Sequence, residues 1–521
     1  MRYDEPSAVR QRVRRFPDIP WATRSAGGCK GQTVDINLKS AVVPIREHRL
    51  GSISGYVGTA DDLTRKSAAG TLEDRRRTFT QCVSCSEMCA VSMLAYIQDA
   101  AVISHAPIGC AASFGGMNQL NRWGQNKRDL PVENVHLVST NLSERDTIFG
   151  AAAKVEAAIR IAYDRFAPRA IFVATACASA IIGEDLDGPI ENLERELGVP
   201  IVAVHCEGFR TQIWSSGFDA AYHAILRKIV KPPQRKRNVV NVINFWADDV
   251  FTDLFRPLGL EPNMIVPFSS IAQLETISEA VATVQMCTTL GTYLASGLEE
   301  LHGVPVVKSP LPYGIKGTDA WYRALGRIAG KEAEAEGHIA AEKAAIADDL
   351  AALRRELAGK TAYVAAGSSH GHSLISVLRE LGVKLEGGCF YHHDAKYDHG
   401  DRAADHLRHA VDTYGDFKVG ICNKQVFELV NLVRRIKPDM LIVRHGNLAV
   451  WGAKLGIPTF LLQDEHLSLG YRGIIRYGRK IADFVSNPAL VKHLARHTKL
   501  PYTDWWLEQS PYAFLQDASP V

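Results

Sequence analysis

Several absences narrow this chain before any motif is read. It has no run of about 18 apolar residues, so no membrane-spanning helix is expected. Its opening, MRYDEPSAVRQRVRR, lacks an apolar core behind the charged start, so no secretory signal is expected. The default compartment is then the cytoplasm. The 60 Lys and Arg nearly balance the 57 Asp and Glu, and a net charge of +3 gives no global case for binding nucleic acid or a membrane surface. Two basic stretches, QRVRR near Arg15 and EDRRR near Arg77, read as solvated faces. No short-period repeat or low-complexity tract stands out. In a reducing compartment the ten cysteines are poorly explained as disulfides, which leaves metal binding, catalysis or burial.

With 521 residues the chain exceeds the size at which one core keeps growing, and several domains are expected. Residues 1–80 show little periodicity and read as an irregular, wrapping extension. Beyond them, short apolar runs such as AVISHAPIGC, RAIFVATAC and VPIVAVHCEG alternate with helix-like stretches such as IFGAAAKVEAAIRIAYDRF. That alternation is the pattern of parallel sheets covered by helices. It restarts at NVVNVINFWA, continued by NMIVPF and HGVPVVKSPLP, and again at TAYVAAGSSHGHSLISVLRELGVKLEG, continued by DMLIVRHG and IPTFLLQDEH. Between the last two units, EAEAEGHIAAEKAAIADDLAALRREL reads as one long helix. The expected fold is α/β, with three Rossmann-like parallel-sheet domains over residues 81–235, 236–330 and 331–521. Open parallel sheets bind ligands at the carboxyl ends of their strands. Cys110, Cys177 and Cys206 fall at such ends, as do His370, in the loop after AYVAAG, and His466.

The cysteines differ in what they signal. Cys206 and Cys422 read as small buried hydrophobes, and Cys29 and Cys389 carry no usable signal. Cys82, Cys85 and Cys89 form C-x2-C-x3-C with no partner CxxC or HxxxH pair, so a zinc site is not indicated, and the run is not that of a ferredoxin. What remains is an iron–sulfur site with ligands from separate loops: Cys85, Cys110 and Cys177.

At this point whole motifs become familiar. ISHAPIGC, NLSERDTIFG, TACASAIIGEDL, VHCEGFR and RIKPDMLIV, in order and spacing over most of residues 81–495, resemble the α-chain of nitrogenase component 1 and its relatives. The resemblance implies iron–sulfur clusters held between the three domains. It implies that Cys85, Cys110 and Cys177 hold half of a P-cluster-like 8Fe-7S cluster shared with a homologous β subunit in an α2β2 heterotetramer. Cys82 or Cys89 stands close enough in register to replace Cys85. It further implies that Cys287, before a Gly-Val-Pro turn, holds one end of an 8Fe-9S-C-like cofactor of open heterometal. The second anchor is His466, with Gln463 in strict register; imidazole is the better metal donor.

The cofactor pocket departs from the dinitrogen-reducing pattern. Trp214 and Phe218 stand where that pattern has a glutamine and a histidine, and His370 and Asn118 stand in place of two arginines. Aromatics there make a drier pocket. That profile is similar to the catalytic D (α) subunit of the nitrogenase-like methylthio-alkane reductases, which implies reductive cleavage of a C–S bond to methanethiol plus ethylene or an alkane. A dinitrogen-reducing α-chain and a cofactor-assembly scaffold are the alternatives. His370 is the expected proton donor, within reach of neutral pH. His105 reads as structural, and His392 and His393 as either surface residues or supports of a site. Electrons would come from an ATP-dependent iron protein, docking near SERDTIF at 143–149. Reversal of charge at Glu144 is therefore expected to lower turnover and alter its salt dependence, measured with the iron protein; no change in either removes the docking role.

Overall fold

A computed structural model describes residues 36–75, 77, 85–183, 185–398, 401–422, 426–444, 446–462 and 468–515. Among them thirteen strands, numbered along the chain, form three sheets. β1 (Gly55–Thr59) lies in the amino-terminal segment. β2 (Ala100–His105), β3 (Leu137–Ser139), β4 (Ala170–Thr175) and β5 (Ile201–His205) make the first sheet, ordered 3-2-4-5 and parallel throughout. β6 (Arg237–Ile243), β7 (Glu261–Ile265) and β8 (Ala280–Gln285) make the second, ordered 7-6-8 and parallel. β9 (Thr361–Ala366), β10 (Lys384–Phe390), β11 (Lys418–Cys422), β12 (Met440–Val443) and β13 (Thr459–Leu461) make the third, with β1 added antiparallel beside β11. The fold is thus α/β with parallel-sheet units, as the alternation of apolar runs and helices implies.

The central strands are buried on both faces, which is why they read as continuous apolar runs rather than alternating ones. Two expectations change. The long helix after residue 331 is two, Glu332–Ala345 and Ala347–Glu356, which break at the buried Ile346. The break lets the first half pack on the Gly314–Ala329 helix and the second on Gly470–Ser486. The run HGVPVVKSPLP forms no strand; Val306 makes an isolated bridge to Thr283, and three prolines remove the amides a ladder needs.

The described residues of the amino-terminal extension belong to the fold. Residues 36–75 contain the short Arg46–Arg49 helix, β1 and the Ala60–Ala69 helix. Arg77, read as solvated, is buried instead: its guanidinium pairs with Glu428 and donates to the Ser54 and Ile421 carbonyls at 2.9 and 2.8 Å. Burial opposes its charge, and the Glu428 pair outweighs that, so its pKa is raised.

Gly217 sets the spacing between the Ser216–Lys228 and Ser86–Leu94 helices. A Cβ there would run into the Ser86 carbonyl oxygen and lie 3.0 Å from the Cys89 Cβ. Gly217→Ala is expected to cost about 1–3 kcal/mol by overpacking, read from urea unfolding of the metal-free protein. An unchanged midpoint would show that the two helices are not in fixed contact.

Candidate functional site

Two groups of side chains gather at strand ends. The first lies on the first sheet. β2 and β4 are neighbours whose outgoing connections depart to opposite sides, which opens a crevice at their carboxyl ends. Cys110 follows β2 in the Ile108–Ala112 turn of helix, and Cys177 opens the Cys177–Ile182 helix after β4. Cys85 joins them as the N-cap of the Ser86–Leu94 helix, its sulfur accepting from the Met88 amide at 3.3 Å. The backbone after β5 closes over this group at Gly208. A Cβ there would lie 3.1 Å from the Cys85 Cβ and 3.5 Å from the Cys177 Sγ. Cys89 instead packs in the core, and Cys82 lies outside the described residues. Of the clustered cysteines the structure describes, Cys85 faces Cys110 and Cys177.

An acid sits beneath the thiols. Glu87 is buried, accepts from Ser104 Oγ at 2.7 Å and bonds Cys110; burial raises its pKa. Burial, with Glu87 and the other two thiols behind it, pushes Cys110 up to about 11. Cys85 is raised too, again chiefly by burial. Glu207 next to the group behaves oppositely: burial opposes its charge, but His205, Thr175 and Arg210 hold it down at about 2. Cys206 is an inward-facing thiol whose sulfur donates to the Thr175 carbonyl at 3.4 Å, consistent with a packing role. His105 is fully buried, its Nδ1 3.1 Å from Thr140 Oγ1, also as expected of a structural residue.

Around the thiols the surface is apolar. Ile108, Ile181 and Phe209 are 61%, 77% and 60% exposed, and each is a near chain neighbour of Cys110, Cys177 or Gly208. Ile148 and Phe149, on the Glu144–Phe149 helix that packs on Cys177–Ile182, extend this face. That helix opens with a Ser143/Asp146 capping box, so part of the SERDTIF signal is ordinary helix initiation.

The second group lies where the three sheets meet. Cys287 follows β8 as the buried N-cap of the Thr288–His302 helix. The Thr288 amide donates to Ser369 Oγ at 3.1 Å, bringing this helix end against that of Ser368–Glu380. His370 is therefore in the first turn of a helix and buried, not in a loop. Its Nδ1 is 2.9 Å from Tyr313 Oη. Tyr313 in turn bridges Leu469, and the Gly470 amide donates to the Pro312 carbonyl at 2.8 Å. His370 thus stands, through Tyr313, beside the backbone at Leu469 and Gly470; Gln463 and His466 lie outside the described residues.

Trp214 packs against the cores of both the first and the third sheet. Its ring meets Phe218 edge-on at 5.9 Å and His392 at 6.2 Å. His392 and His393 are both buried, which removes the surface reading. Asn118 is exposed on the Met117–Lys127 helix, its Oδ1 accepting from the Val135 amide at 2.9 Å. No described contact joins it to Cys287. Arg46, Asp219, Asp394 and Tyr313 carried no motif and were not legible in the sequence. Only Gly208 and Glu87, each within two residues of a flagged cysteine, had a signal that could have found them.

Among the described residues no three His, Cys, Asp or Glu side chains converge closely enough to hold a single metal ion. The thiol donors, brought from two strand ends and one helix N-cap under a glycine, suit a polynuclear iron–sulfur group instead.

With this geometry in hand, the comparisons are direct. Residues 85–486 match the family described as nitrogenase component 1 type oxidoreductase. The chain belongs to that family. More narrowly, its relatives are alpha-type chains. It is 27% identical over 417 residues to the nitrogenase molybdenum-iron protein alpha chain of Methanococcus maripaludis, covering 75% of this chain and 84% of that one. It is 25% identical over 452 residues to the nitrogenase iron-molybdenum cofactor biosynthesis protein NifE of the same species, covering 84% and 88%. A solved structure, nitrogenase Cp1 at pH 5, matches with a TM-score of 0.66 at 21% identity, covering 83% of this chain and 93% of that one, which shows the shared fold.

The raised thiol sets a pH test. In the metal-free protein, alkylation of Cys110 is expected to climb roughly tenfold per pH unit up to about pH 10, following the thiolate fraction. A plateau near the pH of an ordinary thiol would contradict its burial beside Glu87.

Proposed function

We propose that this chain is the catalytic α subunit of a nitrogenase-like reductase that cleaves the C–S bond of methylthio-alkanes. The observation that carries this reading is the aromatic wall of Trp214 and Phe218, set against His392 where the three sheets meet around Cys287. A methylthio group and a short alkyl chain suit such a wall; a site for a small, proton-hungry substrate favours polar groups there. For 2-(methylthio)ethanol, two electrons and two protons give ethylene, methanethiol and water. For dimethyl sulfide they give methane and methanethiol.

Two metal groups complete the reading. Cys85, Cys110 and Cys177 hold half of an 8Fe-7S cluster, whose other half comes from a β subunit seated on the apolar face of Ile108, Ile181 and Phe209. Cys287, with His466, holds the cofactor, which supplies electrons at low potential when bound. The protein's own work is placement. Buried Tyr313 fixes the His370 ring through Nδ1, aiming its other nitrogen as proton donor near the bond that breaks. Trp214 and Phe218 keep water out. An ATP-dependent iron protein delivers the electrons at the Glu144–Phe149 side.

The likeness to NifE favours one second reading, an assembly scaffold that releases its cofactor to an apo-enzyme. The assays separate the readings. The anaerobic complex, with iron protein and ATP, is expected to release methanethiol from dimethyl sulfide. Reduction of dinitrogen without methanethiol would replace this reading with a nitrogenase, and cofactor transfer without turnover would replace it with a scaffold. Cys287→Ala is expected to lose the cofactor's share of the iron and all methanethiol. His370→Gln is expected to keep the metal and slow turnover by about 10²-fold or more, the range of general acid catalysis.

A further inference from the structure

The most completely buried ion network in the described chain belongs to a segment that precedes the family match at residue 85. Arg46 is fully buried. Its Nε and Nη2 donate to the two carboxylate oxygens of Asp219, both at 2.7 Å, and Nη2 donates also to the Thr289 carbonyl at 2.6 Å. Nη1 reaches Asp394 at 3.4 Å. Arg49 joins the same carboxylate of Asp219 at 2.5 Å and pairs with Asp398.

These partners belong to three bodies. Asp219 is on the Ser216–Lys228 helix, which packs on the first sheet. Thr289 is in the first turn of the helix that Cys287 caps, after the second sheet. Asp394 and Asp398 follow β10 of the third. The backbone runs the same way. The Ile36 amide donates to Glu300 at 3.1 Å, and Ser40 lends its carbonyl to His223 at 2.8 Å. Glu47 accepts from the Gln212 amide at 2.7 Å, next to Trp214. Ile53 pairs through its backbone with His393, and Ser67 Oγ lies 2.7 Å from the same ring. β1 then zips onto β11.

We propose that residues 36–59 are a clasp that closes the cleft around Cys287, and that Arg46 is the positioning residue at its centre. A planar fork bonded to both oxygens of one carboxylate has a fixed orientation, and the third bond transmits it to the Thr289 carbonyl. The first turn behind Cys287 is thereby fixed relative to Trp214 and to His392. Any group the size of a metal cluster enters or leaves the Cys287 end only when this segment lifts. The inference deepens the reading of Cys287 as a ligand, but it concerns access to that thiol and is testable without metal.

The test is alkylation of Cys287 by iodoacetamide in the metal-free full-length protein, followed by mass spectrometry, with Cys110 as internal reference. Arg46→Met is expected to speed labelling of Cys287 at least tenfold and leave Cys110 unchanged. Arg46→Lys, which keeps the charge but not the fork, is expected to fall between them. Equal Cys287 labelling in wild type and Arg46→Met overturns the proposal. Should Arg46→Met not fold, hydrogen exchange on the wild type decides. Amides 45–53 and 287–291 are expected to open together, and independent opening overturns the clasp. Iron loss in Cys287→Ala bears on the ligand reading alone, so the two fail separately.

Discussion

The salt link of Arg46 to Asp219 is the constraint from which the rest of this architecture follows. Taking a guanidinium and carboxylates out of water is expensive, and it is sustained only when every charge finds its partner in good geometry. Here the partners of Arg46 come from three separate sheets, so its charge is satisfied in one mutual arrangement of those sheets and in no slid or rotated one. Removing one member of such a buried pair typically costs about 3–5 kcal/mol, because the other charge is left stranded. Burial opposes ionisation of Asp394 as well, yet His392 and Arg46 hold its carboxyl far below the ordinary range. A polar node thus sits beside an aromatic wall, joined to it through His392, which meets both Asp394 and the Trp214 ring.

The thiol face on the first sheet works by the reverse logic. There the chain leaves something unfinished. Cys85 is exposed and Cys110 and Cys177 are half-buried, and the three thiols are capped by a glycine and edged by large apolar side chains open to solvent. A contiguous exposed apolar rim around a polar cluster is the signature of a surface built to be covered. The face and the inner cleft are joined through the helix that begins at Cys85. It packs on the helix of Asp219 across Gly217, so the outer thiols and the inner ion network share one rigid connection.

Part of this was plain in the chain itself, and the division follows physical lines. The parallel sheets were legible because strands buried on both faces must be apolar throughout, as AVISHA and AIFVAT are. Cys110 and Cys177 were legible because a thiol at a strand end stands out against that apolar background, whereas Cys287 was singled out only by its register in the family resemblance. The Trp214 and Phe218 pair was legible by register, and the structure shows the two rings in contact. The break at Ile346 was not, since both halves have good helix composition and only their different packing partners separate them. The exposure of Asn118 was not either, because register along a chain says nothing about which way a helix faces.

Composition and periodicity alone determined the α/β class, the run of strand ends and the chemical type of the donors at them. These are local properties, set by the side-chain period and by the residues adjacent in the chain. The tertiary structure decided the rest: that Cys85 rather than Cys89 turns towards Cys110, that Arg77 is buried, and that Arg46 joins residues from three sheets. Arg46 and Asp219 are 173 positions apart, and Arg46 and Asp394 are 348 apart. An arginine in a polar segment reads as solvated until the fold brings its counter-charges to it, because pairing depends on distance in space and leaves no mark on the neighbouring sequence.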